Sequence, residues 1–250
     1  MPALRIGFTN HLGLLYMNFP TWYFDESKMA GVDFEDVAQV EAFDCKQVSS
    51  TPDKEQALVE RLGISCGHTA IDLGAGTGTF AIQAALKGAS VHAVDISQAM
   101  LTYAQTKAQK AGAMNIQFHR AGFLTYKHQG SPADFVVTKA AIHILPDFWK
   151  MVAFLRIAAM LKPGGIFYLR DVIFSFSPAE YETAIDEWIE RVAKPEGEGW
   201  TVRDFEMHVR EEHSTFAWII EGMLTRAGFK IAEANYNTPT FAEYLCVKAA

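Results

Sequence analysis

The sequence predicts an α/β protein: a mostly parallel sheet with helices on both faces and an antiparallel last strand. Short apolar runs at residues 70–71, 91–94, 116–118, 133–138 and 166–172 alternate with stretches of helical period, the rhythm of strands linked by crossover helices. The turns between them are short, which fits right-handed crossovers in one sheet. Near the end, runs at 231–236 and 241–248 flank Asn237-Thr238-Pro239, close enough in sequence to pair as an antiparallel hairpin.

Size and charge narrow the function. The chain has 250 residues, half of them hydrophobic and a fifth charged. That composition supports a sizeable core and excludes disorder. Its formal charge is −7 and no dense Lys/Arg cluster is present, so nucleic acid is not the expected partner. A small-molecule substrate is. Cys45, Cys66 and Cys246 are odd in number and lack metal spacing, which reads as free thiols in a reducing compartment. No apolar run approaches the ~20 residues of a membrane span, and the N-terminus has no signal-like apolar segment. The expectation is a soluble cytoplasmic protein with no membrane partner.

In order along the chain, residues 1–50 are read as an N-terminal arm or cover, and 51–250 as the main domain. The arm is rich in aromatics, among them Tyr16, Trp22 and Tyr23, with a weak helical pattern at 34–47. Thr51-Pro52 starts a clear helix and Gly63 ends it. The small apolar face Phe80, Ala81, Ala84, Ala85 reads as the next helix. Ser97 caps a helix closed by Gly112, and Pro146 opens one carrying Met151, Leu155 and Ala159. Beyond Val172 the rhythm breaks. Pro178 opens an amphipathic helix whose face includes Tyr181, Ile185, Trp188 and Val192, and Pro195 with two nearby glycines ends it. Residues 175–213 therefore read as a lid inserted before the last helix, which Ser214 is expected to cap and Gly228 to stop.

The organising stretch is AIDLGAGTGTF at residues 70–80. A buried strand leads through Gly74, Gly76 and Gly78 into a helix, so backbone can approach a ligand unobstructed and the helix offers free N–H groups. Asp95 ends the next strand, 17 positions after Gly78, where a carboxylate can accept both hydroxyls of a ribose. A nicotinamide loop would want a third glycine at position 79, which is Thr79. A carboxylate as near as Asp72 would not help a pyrophosphate, but it suits a ligand carrying an ammonium group and a sulfonium.

With VHAVDIS, ADFVVTKAAIHIL and LKPGGIFYLRD following DLGAGTG, the chain resembles the class I S-adenosylmethionine-dependent methyltransferases, in their small-molecule branch. The resemblance spans residues 51–172 and the C-terminal helix and hairpin. It implies a Rossmann-like seven-stranded sheet with an antiparallel last strand, S-adenosyl-L-methionine as cofactor and S-adenosyl-L-homocysteine as product. It also implies that Gly74, Gly76 and Gly78 lie under the methionine and ribose, with Asp72 ordering the loop or meeting the amino group. By the same resemblance Asp95 binds the ribose diol and Ile96 lies beside the adenine. The family often carries an acid after the third strand to hold the adenine amino group; here Gly122 stands in its place. Backbone groups of Gly122 and Phe123, with packing on Phe123, are expected to hold the adenine.

His143, at the end of the fourth strand, is the candidate general base or orienting group for the acceptor, by virtue of an imidazole of near-neutral pKa. Lys139 is expected to line the methionine end through its backbone, with a solvated side chain. Arg170 is a candidate for the acceptor pocket, the alternative being an ion pair with Asp171. Tyr16, Trp22 and Tyr23 are candidates for an aromatic wall facing the substrate. Glu211, Glu212 and His213 are adjacent and point in different directions, so no metal is expected. The function expected is methyl transfer from S-adenosylmethionine to a small-molecule acceptor. The alternatives are an NAD(P)-dependent oxidoreductase or a non-catalytic S-adenosylmethionine-binding regulatory protein.

Overall fold

The computed structural model describes residues 20–28, 35–46 and 50–250. Its strands are β1 (Thr69–Leu73), β2 (Ser90–Asp95), β3 (Ile116–Arg120), β4 (Ala133–Lys139), β5 (Leu161–Phe174), β6 (Thr215–Phe216), β7 (Phe229–Thr238) and β8 (Phe241–Lys248). The helices are α1 (Val37–Lys46), α2 (Pro52–Leu62), α3 (Thr79–Leu86), α4 (Gln98–Ala111), α5 (Asp147–Met160), α6 (Tyr181–Val192), α7 (Val202–Glu211) and α8 (Ala217–Arg226).

The sheet order is β3-β2-β1-β4-β5-β8-β7, with the two-residue β6 pairing beside β5. The pairs from β3 through β5 are parallel, and β8 is antiparallel to both β5 and β7. The seven-stranded frame and its antiparallel last strand are as expected, and β6 is an addition. Strand β5 is longer than the 166–172 run: Leu161 already pairs with Ala133, and the register then shifts before Phe135 meets Ile166. The Pro163-Gly164-Gly165 turn therefore bulges out of a strand instead of preceding one.

Two cores lie on opposite faces, and the period of two along β5 feeds both. Phe167 and Leu169 join Phe154, Ile157 and Leu224 on the α5/α8 face. Tyr168 and the half-buried Ile166 join Val59, Phe80 and Ala84 on the α2/α3 face. The caps follow the sequence: Ser97 Oγ accepts from Met100 N at 3.0 Å, and Gly63 and Gly112 take left-handed conformations at φ 72° and 74°, where a Cβ would be strained.

The lid differs from expectation in one element. Between Gly199 and His213 the chain forms α7, held by a capping box in which Thr201 and Asp204 satisfy each other's backbone N–H groups. The buried Trp188 of α6 packs its ring against Phe205 of α7 at 5.1 Å and against Phe174 of β5 at 6.3 Å. Ser214 does not cap α8, whose N-cap residue is Phe216; its hydroxyl instead meets His208 Nε2 at 2.8 Å. Among the described residues no helix is long and apolar enough to cross a membrane.

The cap of α7 is testable. Thr201→Ala should cost about 1 kcal/mol of local stability, read by hydrogen exchange as faster opening of residues 202–211. Unchanged protection there would show that the capping box does not hold this helix.

Candidate functional site

The glycine loop is fastened at both ends. Gly74 N and Ala75 N both donate to Val94 O, at 2.9 and 3.0 Å, which draws the loop onto the end of β2. Asp95 completes the junction, with Oδ2 accepting from Gly76 N at 2.8 Å and Oδ1 from Ser97 N at 2.9 Å. Gly74 has φ +74°, and a Cβ there would stand 2.5 Å from the Ala141 Cβ. The floor made by β1 thus touches the chain leaving β4, and only glycine permits that approach.

Asp72 is buried beneath this loop. Burial, with Glu55 and Asp95 adding to it against the pull of Lys139, pushes its pKa up to about 7. Lys139 is not the solvated flank expected of it. Its ammonium pairs with the buried Glu55 at 2.5 Å and lies 5.3 Å from the centre of the Phe80 ring. A cleft of about 380 Å³ opens beside this pair, lined in part by Lys54, Arg61, Tyr168, Arg170 and Glu243. Arg170 lies over the Phe241 ring at 5.5 Å. It makes no ion pair with Asp171, because successive residues of a strand point to opposite faces.

Gly122 is explained by a residue that sequence reasoning missed. A Cβ at Gly122 would fall within the Glu26 carboxylate. Glu26 is buried, and its oxygens accept from Leu124 N at 3.0 and 3.1 Å and from Thr125 Oγ1 at 2.7 Å. Burial raises its pKa against those hydrogen bonds. A carboxylate is therefore present where the sequence lacks one, brought by residues 20–28. No local signal marks it, since Glu26 and Gly122 are distant in sequence. Phe123 is buried in the core and its ring faces Gly74, so only its backbone remains for the adenine contact expected of it. Ile96 is half-buried, and its carbonyl accepts from Arg120 Nε at 3.2 Å.

On the opposite face Asp171 organises the exit of β4. It is fully buried; Oδ2 accepts from the backbone N–H groups of Ala141, Ile142 and His143 at 3.1, 2.8 and 3.3 Å. Its Oδ1 takes Val172 N at 2.7 Å and His143 Nδ1 at 2.5 Å. Beyond His143 stands Glu212 at the end of α7, Oε2 being 3.0 Å from His143 Nε2 and also beside His208 Nδ1. Burial opposes charge on His143, but Asp171 and Glu212 outweigh it and carry its pKa up to about 10. Glu212 is held well below the usual carboxylate range, its contacts with His143 and His208 overcoming burial. The near-neutral base expected at His143 is thus an imidazolium between two carboxylates.

The aromatic candidates divide. Tyr23 donates its hydroxyl to Leu124 O at 3.2 Å and packs edge-on against Trp149 at 4.8 Å. Trp22 stacks on Trp149 at 6.4 Å and is 70 % exposed. They anchor residues 20–28 on α5 beside the Glu26 contact. Tyr16 lies outside the described residues.

These residues fit a nucleoside sulfonium ligand. The glycine floor leaves room for a ligand to approach the backbone, Asp95 stands at the strand end beside it, and Glu26 brings a carboxylate against Gly122. Comparison with known proteins agrees. A methyltransferase-domain family profile matches residues 70–165. Over 187 residues the chain is 28 % identical to a carboxy-S-adenosyl-L-methionine synthase of Nautilia profundicola, covering 71 % of this chain and 76 % of that one. It is 31 % identical to phosphoethanolamine N-methyltransferase 2 of Caenorhabditis elegans over 115 residues, 45 % of this chain and about a quarter (26 %) of that protein's length. Magnesium protoporphyrin IX methyltransferase of Synechocystis, solved with bound S-adenosylhomocysteine, shares the fold at a TM-score of 0.58 and 19 % identity, covering 90 % of this chain and 91 % of its own. Residues 70–165 thus match a methyltransferase-domain family, in a sheet that has the fold of methyltransferases of known structure.

The raised pKa of Asp72 has a definite sign. The folded state holds a proton on it between the ordinary carboxylate range and about pH 7, so its contribution to stability is full at acid pH and is lost as pH rises through that window. Asp72→Asn should therefore gain stability over the natural protein between pH 4 and 7, by about 1–4 kcal/mol at pH 8. Urea midpoints of both proteins across this range check it. A constant difference would remove Asp72 as a buried, protonated group.

Proposed function

We propose that this domain transfers the methyl group of S-adenosylmethionine to a small-molecule acceptor. The observation that supports it most is the junction of Gly74–Gly78 with Asp95 and Ala141, a ligand floor built where three parallel strands end. When bound, the cofactor supplies an electrophilic methyl group on a sulfonium. The chain's own share is to position and to exclude water, which can account for much of the rate of an in-line displacement. In this reading Asp95 takes the ribose hydroxyls, Asp72 stands behind the methionine end, and Glu26 accepts from the adenine amino group in the place of the acid missing at Gly122. The backbone of Gly122 and Phe123 flanks the same ring, and Ile96 lies beside it. Thr79, where a dinucleotide loop would need glycine, leaves the oxidoreductase alternative without support.

The acceptor enters beside Lys139 and Arg170. The cleft there is lined by Lys54, Arg61, Lys139 and Arg170 against Glu55 and Glu243, a basic excess within a chain of net charge −7. That balance favours a small polar acceptor carrying an anionic group. The phosphoethanolamine in the name of the nematode relative is of that class. Residues 175–213 cover the opposite side as a lid, and residues 20–28 close the adenine end.

Calorimetric titration with S-adenosylhomocysteine tests the cofactor site. Asp95→Ala and Glu26→Ala should each weaken binding roughly tenfold or more, the worth of a charge-assisted hydrogen bond. Unchanged affinity in either variant would remove that residue from the site. Incubation with methyl-labelled S-adenosylmethionine and fractionated anionic metabolites tests transfer, with label expected in an acidic small molecule. For the acceptor so found, Arg170→Gln should raise KM more than it lowers kcat, and an unchanged KM would take Arg170 out of the acceptor cleft.

A further inference from the structure

We propose that His143, His208 and Glu212 form a binding site for a divalent transition-metal ion that joins the lid to the sheet. One ligand atom from each residue lies within 4.8 Å of the other two. His143 comes from the turn after β4, while His208 and Glu212 are four residues apart near the end of α7, the spacing that puts two side chains on one helix face. The side chains are 13 %, 13 % and 17 % exposed, so the group is sheltered without being sealed.

The contact geometry favours ligation over hydrogen bonding. Glu212 Oε2 is buried, stands 3.0 Å from His143 Nε2 and meets His208 Nδ1, yet no donor is aligned on it. A hydrogen bond needs the N–H to point at the oxygen. Ligand atoms around a cation instead point at a common centre, and at metal–ligand distances of about 2.1 Å they approach one another to roughly 3 Å. Close approach without alignment is what such a centre leaves in its ligands.

The other nitrogen of each imidazole is engaged as ligating histidines require. His143 Nδ1 meets the buried Asp171 carboxylate at 2.5 Å, and His208 Nε2 meets Ser214 Oγ at 2.8 Å. Partners of this kind fix ring orientation and raise ligand basicity. A cation would take the place of the proton on His143 Nε2, and with the imidazoles then neutral Asp171 and Glu212 leave two negative charges at the site, which a divalent cation balances. Two imidazoles and one carboxylate suit zinc or iron(II) better than magnesium or calcium, which prefer all-oxygen sets. Three protein ligands leave a further position for water. The adjacent run Glu211-Glu212-His213 contributes only its middle residue. Its metal partners come from one turn back along the helix and from the far side of the fold. The site does not depend on the methyl-transfer reading.

Titration of the chelator-treated full-length chain with cobalt(II), followed by visible absorption and by displacement with zinc(II), tests it. The expected result is one equivalent bound with the ligand-field bands of a low-coordinate nitrogen–oxygen site. Glu212→Gln and His208→Gln should weaken binding about tenfold or more, while Glu211→Gln, at a residue exposed and paired with Arg210, should bind as the natural protein does. Absence of the bands in the natural protein overturns the proposal whatever the variants do. So does cobalt binding that is equally tight in the natural protein and both ligand variants.

Discussion

The Asp171 carboxylate is the contact on which both halves of the site depend. Fully buried, it is stabilised by backbone N–H groups at 141, 142, 143 and 172 and by His143, and the charge and hydrogen bonds of His143 with those N–H groups hold its pKa below the ordinary value against burial. An unpaired carboxylate in that position would cost several kcal/mol, so the turn must wrap around it. Among the described residues the turn includes the one non-glycine residue with positive φ, Ala140 at 48°, whose N–H donates to Arg170 O at 2.8 Å. The strain at Ala140 is offset by the hydrogen bonds that Asp171 collects next to it. The result sets Ala141 against Gly74 and aims His143 at the lid.

Alternation along β5 then separates the tasks. Tyr168 and Arg170 face the α2 side with Lys139, where the basic cleft opens. Leu169 and Asp171 face the α5/α8 side, where the lid docks. The glycine floor, the basic cleft and the lid contact thus meet at consecutive residues of two paired strands, in register Lys139 to Arg170. The lid is held from two directions, by Trp188 in an aromatic pocket and by Glu212 and His208 against His143.

What was legible in the sequence follows from range. The alternation of strands and helices, the caps at Ser97, Gly63 and Gly112, and the glycine floor are local patterns, and the structure has them. Helix α7 was also legible: Thr201-Val202-Arg203-Asp204 is a capping-box sequence, obscured by the glycines at 197 and 199 just before it. Glu26 beneath Gly122, and His143 beside Glu212, are pairings across the fold with no sequence signature. The general-base expectation for His143 rested on the ordinary imidazole pKa, and two carboxylates from other elements reverse it. Lys139 looked solvated because Glu55, its partner, sits on a helix that packs there only in the folded chain.

The central claim is that one buried carboxylate ties the exit of β4 to the lid. Hydrogen–deuterium exchange of Asp171→Asn, an isosteric change that removes the charge and turns one accepting oxygen into a donor, tests it most directly. The account predicts faster exchange both at residues 140–144 and throughout α7, with β1 to β3 as protected as before. Loosening confined to residues 140–144, with α7 unchanged, would contradict it.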